Sequence, residues 1–291
     1  MKKILVTGSS GFLAHHFIKH AQDRGYFVLG VDKRPIPHGH NKPNYYIQTN
    51  INDLTYKDIM GVDYVMHFAW RTNIPDCSRH PIESTEQNID MSVRMLELAR
   101  EAGVKKFLFP STASLYGNNP TPWKEGMTPD PIEPYSWQKL SIEYACQMYS
   151  KVYKLPTLVF RFFQVYGEFQ RDDTAIAAFI RSKKNGKPIT LTETTAQSSF
   201  RSGQRDFVYA GDLAEALLDS LDVSVGSGEI YNVASGKIHT MEQIADALGA
   251  EVTWIPKREY EVERHLADVS NIKRDIGWEA TTDVINWLKN I

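Results

Sequence analysis

A tyrosine and a lysine four positions apart give the first indication of chemistry in this sequence. Tyr135 and Lys139 follow Pro134 at the start of a segment with helical periodicity. A spacing of four puts both side chains on one face of a helix, where an ammonium stabilises a phenolate and lowers the pKa of the phenol from about 10. Such a phenol can act as a general base. The alternative for this pair is an exposed surface contact without function, because the spacing often arises by chance.

Hydroxyl groups follow an apolar strand a little earlier in the chain. The segment 111–117 reads Ser-Thr-Ala-Ser-Leu-Tyr-Gly and comes directly after Phe107–Phe109. Doubly wound sheets bind their ligands at the carboxyl ends of the strands. A hydroxyl of this segment can therefore hydrogen-bond a reacting oxygen close to Tyr135.

A glycine turn near the N-terminus predicts a dinucleotide site. Gly8 and Gly11 follow the predicted strand Ile4–Thr7 and open a helix, whose free N–H groups can meet a pyrophosphate. Asp32 ends the next predicted strand, where a carboxylate accepts hydrogen bonds from the adenosine ribose and repels the 2'-phosphate of NADP. We therefore predict NAD as the cofactor, a preference that Lys33-Arg34 directly after Asp32 weakens.

Short apolar runs alternate with segments of helical period through the first half of the chain, which predicts an α/β fold with a parallel sheet. The fold class is a Rossmann doubly wound sheet carrying a smaller C-terminal α/β lobe. The predicted strands are 4–7, 27–31, 45–48, 64–68, 106–110 and 157–162, and the predicted helices are 12–24, 81–102, 136–153, 176–184, 210–221, 240–248 and 282–290.

The predicted elements become shorter after about residue 165. We predict an NAD-binding Rossmann domain of residues 1–165 and a smaller substrate-binding lobe of residues 166–291, with chain crossings between the two. No linker rich in Gly, Ser or Pro separates them in the sequence. We therefore expect the lobe to close a cleft with the sheet.

Composition excludes several classes of protein. The 291 residues carry a formal net charge of −2 with both signs interspersed, which gives no charged surface for nucleic acid or for an anionic membrane. The sequence contains no apolar run of the length a membrane helix requires. Its two cysteines, Cys77 and Cys146, are typical of a reducing compartment, so we expect a cytoplasmic protein. The histidines lack metal-ligand spacing, and we predict no metal.

Further motifs extend over almost the whole chain. They are Thr7-Gly8-x-x-Gly11-Phe12-Leu13, His67-Phe68-Ala69, Asn88, the segment 111–117, Tyr135 with Lys139, Arg161-Phe-Phe-Gln-Val-Tyr-Gly167, Arg205-Asp-Phe-Val-Tyr-Ala-Gly-Asp212 and Asp275-Ile-Gly-Trp278. With these motifs the chain resembles the extended short-chain dehydrogenases/reductases. Within them it is similar to the NAD-dependent sugar-nucleotide epimerase/dehydratase family, and to its UDP-glucose 4-epimerases.

The resemblance implies a site. Its catalytic residues would be Thr112, Tyr135 as the base, and Lys139 as partner of Tyr135 and as a ribose ligand. The residues implied to bind NAD are Gly8, Gly11, Phe12, Leu13, Asp32, Asn50, Ile51, Phe68, Ala69, Asn88, Tyr135, Lys139 and Phe163. The sequence departs from the family's pattern at two places near this site. Asn50-Ile51 stands where the family usually has Asp-Ile, and Ala14 replaces the third glycine of the turn.

The resemblance also implies that the substrate is a nucleotide-diphosphate sugar. Arg205 and Arg258 match arginines that grip the diphosphate, and Glu261 matches an acid that meets the ribose. His265 matches the position that limits the bulk of the sugar in the epimerases, and Gln164 replaces the family's usual asparagine. The alternative for the arginines is a solvated surface pair with a nearby glutamate. The stretch 191–201 is longer than usual, and we assign it no role.

The residues after Thr112 bear on the reaction. Family 4,6-dehydratases carry Asp-Glu there for the elimination of water, whereas this chain has Ala113-Ser114. We therefore predict a 4-epimerase acting on a UDP-sugar. An NAD(P)H-dependent 4-ketosugar reductase is the main alternative, since it needs the same three residues. A dinucleotide-sensing protein without turnover is a remote alternative, because Thr112, Tyr135 and Lys139 are all present.

Relatives of this type pair through two long helices, which here are 81–102 and 136–153. We therefore expect a homodimer. Apolar residues on these helices could form that surface or could belong to the core, as any helix that covers a sheet has an apolar stripe. These residues are Met91, Met95, Leu98, Met148 and Tyr149.

Overall fold

The computed structural model describes residues 1–194, 201–256 and 263–291. Its strands are β1 Lys3–Thr7, β2 Phe27–Asp32, β3 Tyr45–Gln48, β4 Tyr64–His67, β5 Lys106–Thr112, β6 Thr157–Phe162, β7 Gln164–Tyr166, β8 Ile189–Thr192, β9 Gln204–Tyr209, β10 Ser227–Val233, β11 Ile238–Thr240 and β12 Val252–Ile255. Its helices are α1 Phe12–Asp23, α2 Tyr56–Ile59, α3 Ile74–Arg79, α4 Pro81–Thr85, α5 Met91–Glu101, α6 Pro134–Tyr153, α7 Ala175–Lys184, α8 Ala210–Asp219, α9 Met241–Leu248, α10 Ser270–Ile276 and α11 Val284–Lys289. Within these ranges no helix combines the length and the apolar character needed to span a bilayer.

The central sheet has seven strands in the order β10-β6-β5-β4-β1-β2-β3. Every neighbouring pair in it is parallel. This is the doubly wound order, with the strand sequence reversing between β1 and β4. The predicted fold class is confirmed. The sheet has one strand more than the six predicted, because the segment 227–233 pairs with β6, with Tyr231 opposite Phe160.

Alternating side chains of the strands build a core on each face of the sheet. Ile4 and Val6 of β1 pack with α1 and α8 on one face. Leu5 of the same strand packs on the other face with apolar residues of α5 and α6. The lobe has a third core, built around β7, β8, β9, α9 and α11. The division at residue 165 stays a prediction. Two elements of the second range belong with the sheet, since β10 is its edge strand and α8 packs on one of its faces.

The predicted helix 81–102 is interrupted. It consists of α4, a π-helical turn over Glu86–Asp90, and α5. Asn88 is fully buried in that turn. Single π turns within helices are frequent at functional sites because they redirect a side chain.

Helix α6 begins two residues before its predicted start. The Glu133 carboxylate accepts hydrogen bonds from the backbone N–H of Tyr135 at 2.6 Å and of Ser136 at 2.9 Å. Pro134 occupies the first helical position, where a missing N–H costs nothing. The cap fixes the first turn of α6, and with it the backbone of Tyr135.

A buried ion pair joins α6 to the sheet. Arg161 of β6 donates to Glu143 of α6 through Nε at 3.1 Å and Nη2 at 2.7 Å, and their side chains are only 2% and 1% exposed. The Ser111 hydroxyl donates to the same carboxylate. The Arg161 guanidinium lies over the Tyr116 ring, 4.9 Å from its centroid. This cluster fixes α6 against the ends of β5 and β6.

Replacing Glu143 with Ala should destabilise the fold by about 3–5 kcal/mol, because it leaves the Arg161 charge buried without its partner. Urea denaturation measures the change. As a control, Asp23→Ala breaks the solvated Lys19–Asp23 pair on α1 and should produce no resolvable change. Equal stability of the Glu143 variant and the wild type would contradict the structural role given to the pair.

Candidate active site

The glycine turn between β1 and α1 packs closely on the loop after β4 and leaves the N-terminus of α1 free of side chains. Gly8 has a φ of +67°, and a Cβ placed on it would lie 2.7 Å from the backbone nitrogen of Ala69. Gly11 is the N-cap of α1 and has no side chain that could block the N–H groups of the first turn. Ala14 is fully buried against the sheet. The turn therefore fits a pyrophosphate, which only a bare backbone lets come this close.

Asp32 lies at the end of β2, beside the glycine turn. Its carboxylate is 6% exposed and accepts hydrogen bonds from the backbone N–H of Ser10 at 3.1 Å and of Arg34 at 2.9 Å. The Arg34 side chain also approaches it, with Nε at 3.4 Å. A carboxylate fixed here can accept hydrogen bonds from ribose hydroxyls, and it disfavours a 2'-phosphate.

Asn88 holds the loop that follows β4. Its carboxamide accepts from the Arg71 N–H at 2.8 Å and donates to the Gln138 side chain of α6 at 2.8 Å. The N–H of Ala69, in the same loop, donates to the Thr7 hydroxyl at 3.3 Å. Phe68 is half-buried and packs edge-on against Phe17. The loop is thereby fixed beside the glycine turn.

The other residues predicted to bind the cofactor lie around this edge of the sheet. Asn50 is exposed and its side-chain oxygen caps the short turn after β3 by accepting from Asn52 N–H, while Ile51 is buried. Phe12 and Leu13 are half-buried in the first turn of α1. Phe163 is buried with Tyr116 and Trp123.

The catalytic candidates meet where β5 ends and α6 begins. Thr112, the last residue of β5, is 8% exposed, and its hydroxyl oxygen accepts from the Ser114 N–H at 3.1 Å. Loss of hydration raises the pKa of Tyr135 to about 12, and the Thr112 hydroxyl and the Arg171 charge act in the opposite direction. A bound cation would be needed to bring this phenol into the range of a general base.

Lys139 lies one helical turn after Tyr135 on α6 and is the cation predicted to favour its phenolate. It is 4% exposed, and its ammonium donates to the Pro110 carbonyl at 2.6 Å. Burial holds the pKa of Lys139 well below its usual value, while the charge of Glu143 acts to raise it. The predicted pair thus lies at the carboxyl edge of the sheet rather than on a solvated helix face.

The structure describes only some of the residues predicted to bind the substrate. Arg205 on β9 is half-buried, and its guanidinium donates to the Gln204 carbonyl at 2.9 Å. His265 packs on Trp123 with ring centroids 4.9 Å apart and ring planes tilted by 42°, and burial beside Arg205 lowers the pKa of His265 to about 3. Gln164 is exposed on β7. Arg258 and Glu261 lie outside the described residues, as does 195–200 of the unassigned stretch.

Asp206 was missed by the sequence reasoning, although it follows Arg205 in a quoted motif. It is fully buried and accepts from the N–H groups of Ser235, Gly236 and Ala267. Burial raises the pKa of Asp206 to about 6, and those hydrogen bonds oppose the rise. The residue ties β9 to the loops on either side of His265. Among the described residues, no group of three or more His, Cys, Asp or Glu side chains is arranged to hold a metal.

Comparison with known proteins identifies the family. The model of the NAD dependent epimerase/dehydratase family matches residues 4–234. The chain belongs to this family. A relative from Thermodesulfobacterium geofontis, named UDP-glucuronate 4-epimerase, is 30% identical over 98% of this chain and 95% of that protein.

Solved structures of similar proteins agree with this assignment. The UDP-N-acetylglucosamine 4-epimerase of Methanobrevibacter ruminantium has a TM-score of 0.88 at 26% identity, covering 99% of this chain and 96% of that one. The UDP-glucose 4-epimerase of Thermus thermophilus, solved with NAD, has a TM-score of 0.83 at 26% identity with the same coverage. The predictions of the family, of an NAD-dependent epimerase as the enzyme class, and of NAD as the cofactor are confirmed.

Asp32→Ala should weaken the affinity of this epimerase/dehydratase for NAD about ten- to a hundredfold. A hydrogen bond to a charged group contributes about 1.5–3 kcal/mol, and 1.4 kcal/mol is a factor of ten. Affinity for NADP should fall less, since the repulsion is also lost. Calorimetric titration of the cofactor-free protein measures both dissociation constants.

Arg34→Ala serves as the opposed variant, because it removes the cation beside the carboxylate and should disfavour NADP further. An unchanged ratio of the two constants in Asp32→Ala would refute the role given to this carboxylate.

Proposed function

We propose that the protein is a nucleotide-sugar 4-epimerase acting on a UDP-sugar. The observation that carries the proposal is the convergence of Thr112, Tyr135 and Lys139 at the sheet edge that also holds the glycine turn and Asp32. The relatives named above act, by their names, on three different UDP-sugars. They support a UDP-sugar in general and leave the sugar open.

The proposed reaction needs one proton-transfer group. Tyr135 as phenolate accepts the proton of the sugar's C4 hydroxyl, and the Lys139 ammonium stabilises that phenolate. NAD, held by the glycine turn and Asp32, would supply the hydride acceptor and a positively charged ring that favours the phenolate. Thr112 hydrogen-bonds the reacting oxygen. The 4-keto sugar would then rotate, so that hydride returns to its other face and C4 is inverted. Tyr135 would give the proton back to the C4 oxygen.

Elimination of water is disfavoured by the same edge of the sheet. Ala113 is 4% exposed and apolar, and the Ser114 hydroxyl lies 2.9 Å from that of Thr112. Neither side chain offers the carboxyl acid or base that the dehydratases place there. This separates the proposal from the 4,6-dehydratases, of which a mouse example is 30% identical over 85% of the chain.

The substrate would lie between the sheet edge and the lobe. Arg205 and Arg258 would hold the diphosphate, since a guanidinium group can donate two parallel hydrogen bonds to phosphate oxygens. Glu261 would bind the ribose. His265, neutral and packed against Trp123, would form a wall beside the sugar. This arrangement corresponds to the predicted division into residues 1–165 for the cofactor and 166–291 for the substrate.

The 4-ketosugar reductase is kept as the second candidate because of one observation. Arg34 approaches Asp32 to 3.4 Å and partly offsets the charge that repels a 2'-phosphate. A reductase would use the same tyrosine and lysine with a released, reduced cofactor.

The deciding experiment incubates the protein with NAD, and without reductant, against UDP-, GDP-, CDP- and dTDP-sugars while NMR follows the anomeric and H4 signals. Interconversion of one UDP-linked C4 pair is expected. Turnover only of a 4-ketosugar with reduced cofactor would establish the reductase instead, and NAD binding without any turnover would establish a sensing protein.

Tyr135→Phe should abolish this interconversion while NAD stays bound, since it removes the proton acceptor and keeps the ring. Tyr153→Phe, at the exposed end of the same helix, is the matched control and should retain full activity. Full turnover by Tyr135→Phe would contradict the mechanism.

We also propose that the protein forms a homodimer through α6 and its neighbour α5. Met91, Met95, Leu98 and Tyr149 are buried in the core of one chain. Four exposed apolar residues form a stripe along α6, since Trp137, Tyr144, Met148 and Val152 recur at spacings of seven and four. An exposed stripe of this kind is typical of a protein–protein contact.

The double variant Tyr144→Glu with Met148→Glu should be monomeric in light scattering after gel filtration, because it places two charges in the proposed contact. Met60→Glu changes an exposed methionine outside these helices and should leave the mass unchanged. A wild-type protein that is itself monomeric at micromolar concentration would refute the dimer.

A further inference from the structure

The indole of Trp70 lies against the catalytic lysine candidate. Nζ of Lys139 is 3.8 Å from the centroid of the Trp70 ring and 4.6 Å from that of Phe109. A cation within about 6 Å of a ring centroid is attracted to its face, and tryptophan provides the strongest attraction. Trp70 follows His67-Phe68-Ala69 directly and lies in the loop after β4, where its ring meets Lys139 of α6.

The surroundings of Lys139 offer little else that favours its charged form. Its ammonium donates a hydrogen bond to the Pro110 carbonyl, and burial favours loss of its proton. The Glu143 carboxylate lies one helical turn further on, but it is bound by Arg161 and Ser111.

The other ionisable groups that interact with Lys139 add no negative charge. Burial raises the pKa of Cys146 on α6, so this thiol is neutral. Burial and the Lys139 charge lower the pKa of His67 on β4 to about 3, and His67 makes neutral hydrogen bonds with Thr7 and Ser92. Tyr135, on α6 itself, is the group that needs the ammonium.

A ring face has an advantage over a carboxylate in this position. Both stabilise an ammonium, but a carboxylate would also repel the Tyr135 phenolate and raise its pKa. The ring carries no net charge, so the field of the ammonium at Tyr135 is not cancelled. An aromatic partner therefore keeps Lys139 charged without opposing the ionisation that the reaction needs.

The indole N–H suggests that this position is not occupied for packing alone. Its nitrogen is buried and has no hydrogen-bond partner in the described part of the chain. A buried donor without a partner lowers stability, and a phenylalanine would fill similar space without one. The stronger attraction of an indole for a cation is the property that phenylalanine lacks.

We propose that Trp70 is a positioning residue that holds the Lys139 ammonium, in its charged form, beside Tyr135. The inference rests on the proposed function, because it assumes that Tyr135 acts as the base. Trp70 acts through Lys139 and takes no part in proton transfer.

The test titrates the Tyr135 phenol directly in the NAD-loaded protein. Tyrosinate absorption is measured against pH, and the background is taken from the same protein carrying Tyr135→Phe. Trp70→Leu should raise the midpoint by about one pH unit, which corresponds to about 1.4 kcal/mol. The direction follows because a less stable ammonium loses its proton at lower pH, and neutral Lys139 no longer favours the phenolate.

Two further variants calibrate this result. Trp70→Phe should raise the midpoint of the Tyr135 titration by a smaller amount. It should not lower the thermal unfolding midpoint, since it removes the unpaired N–H. Trp254→Leu is the matched control, because Trp254 is also half-buried with a cation, Arg201, 5.0 Å from its centroid, but lies in the lobe. It should leave the Tyr135 titration unchanged.

Lys139→Met separates failure of this inference from failure of the proposed function. If Lys139→Met raises the Tyr135 midpoint and Trp70→Leu does not, the inference is wrong and the proposed function stands. If Lys139→Met changes neither the midpoint nor turnover, the proposed pair itself is wrong. Should Trp70→Leu fail to fold, an unshifted midpoint in Trp70→Phe overturns the inference.

Discussion

The ion pair between Glu143 and Arg161 is the contact on which the geometry of the site depends. It lies beneath the site, with both side chains at most 2% exposed, and it joins α6 to β6 while Ser111 joins the same carboxylate to β5. Two charges without hydration are stable only when each satisfies the other. The pair therefore fixes the rotation of α6 about its axis, which decides where the side chains one and two turns earlier point.

Those side chains are Lys139 and Tyr135, and their environment opposes the charges that the reaction uses. Burial favours a neutral amine and a neutral phenol. The fold offsets this preference for the neutral forms without an unpaired carboxylate beside Lys139 and Tyr135. Glu143 is neutralised by Arg161, and the aromatic face of Trp70 attracts the ammonium. Bound oxidised NAD would add a further positive charge that favours the phenolate.

Buried polar side chains hold the loops around the site in addition to apolar packing. Asn88 holds the loop after β4 through the Arg71 backbone, and Asp206 holds the loops of the lobe through three N–H groups. A buried amide or carboxylate with every hydrogen bond made permits one arrangement of its partners. Both residues thus shape the cleft without having to touch a ligand.

Motifs read from the sequence were sufficient for the family, the fold class, the cofactor and six of the seven strands of the central sheet, because glycine turns, strand periodicity and helical spacing are local properties. Strand β10 of this sheet was missed, since the segment 227–233 becomes a strand only by pairing with β6. The break in the predicted helix 81–102 depends on the burial of Asn88 against α6. The packing of Trp70 on Lys139 joins residues far apart in the chain, so only the tertiary structure decided it.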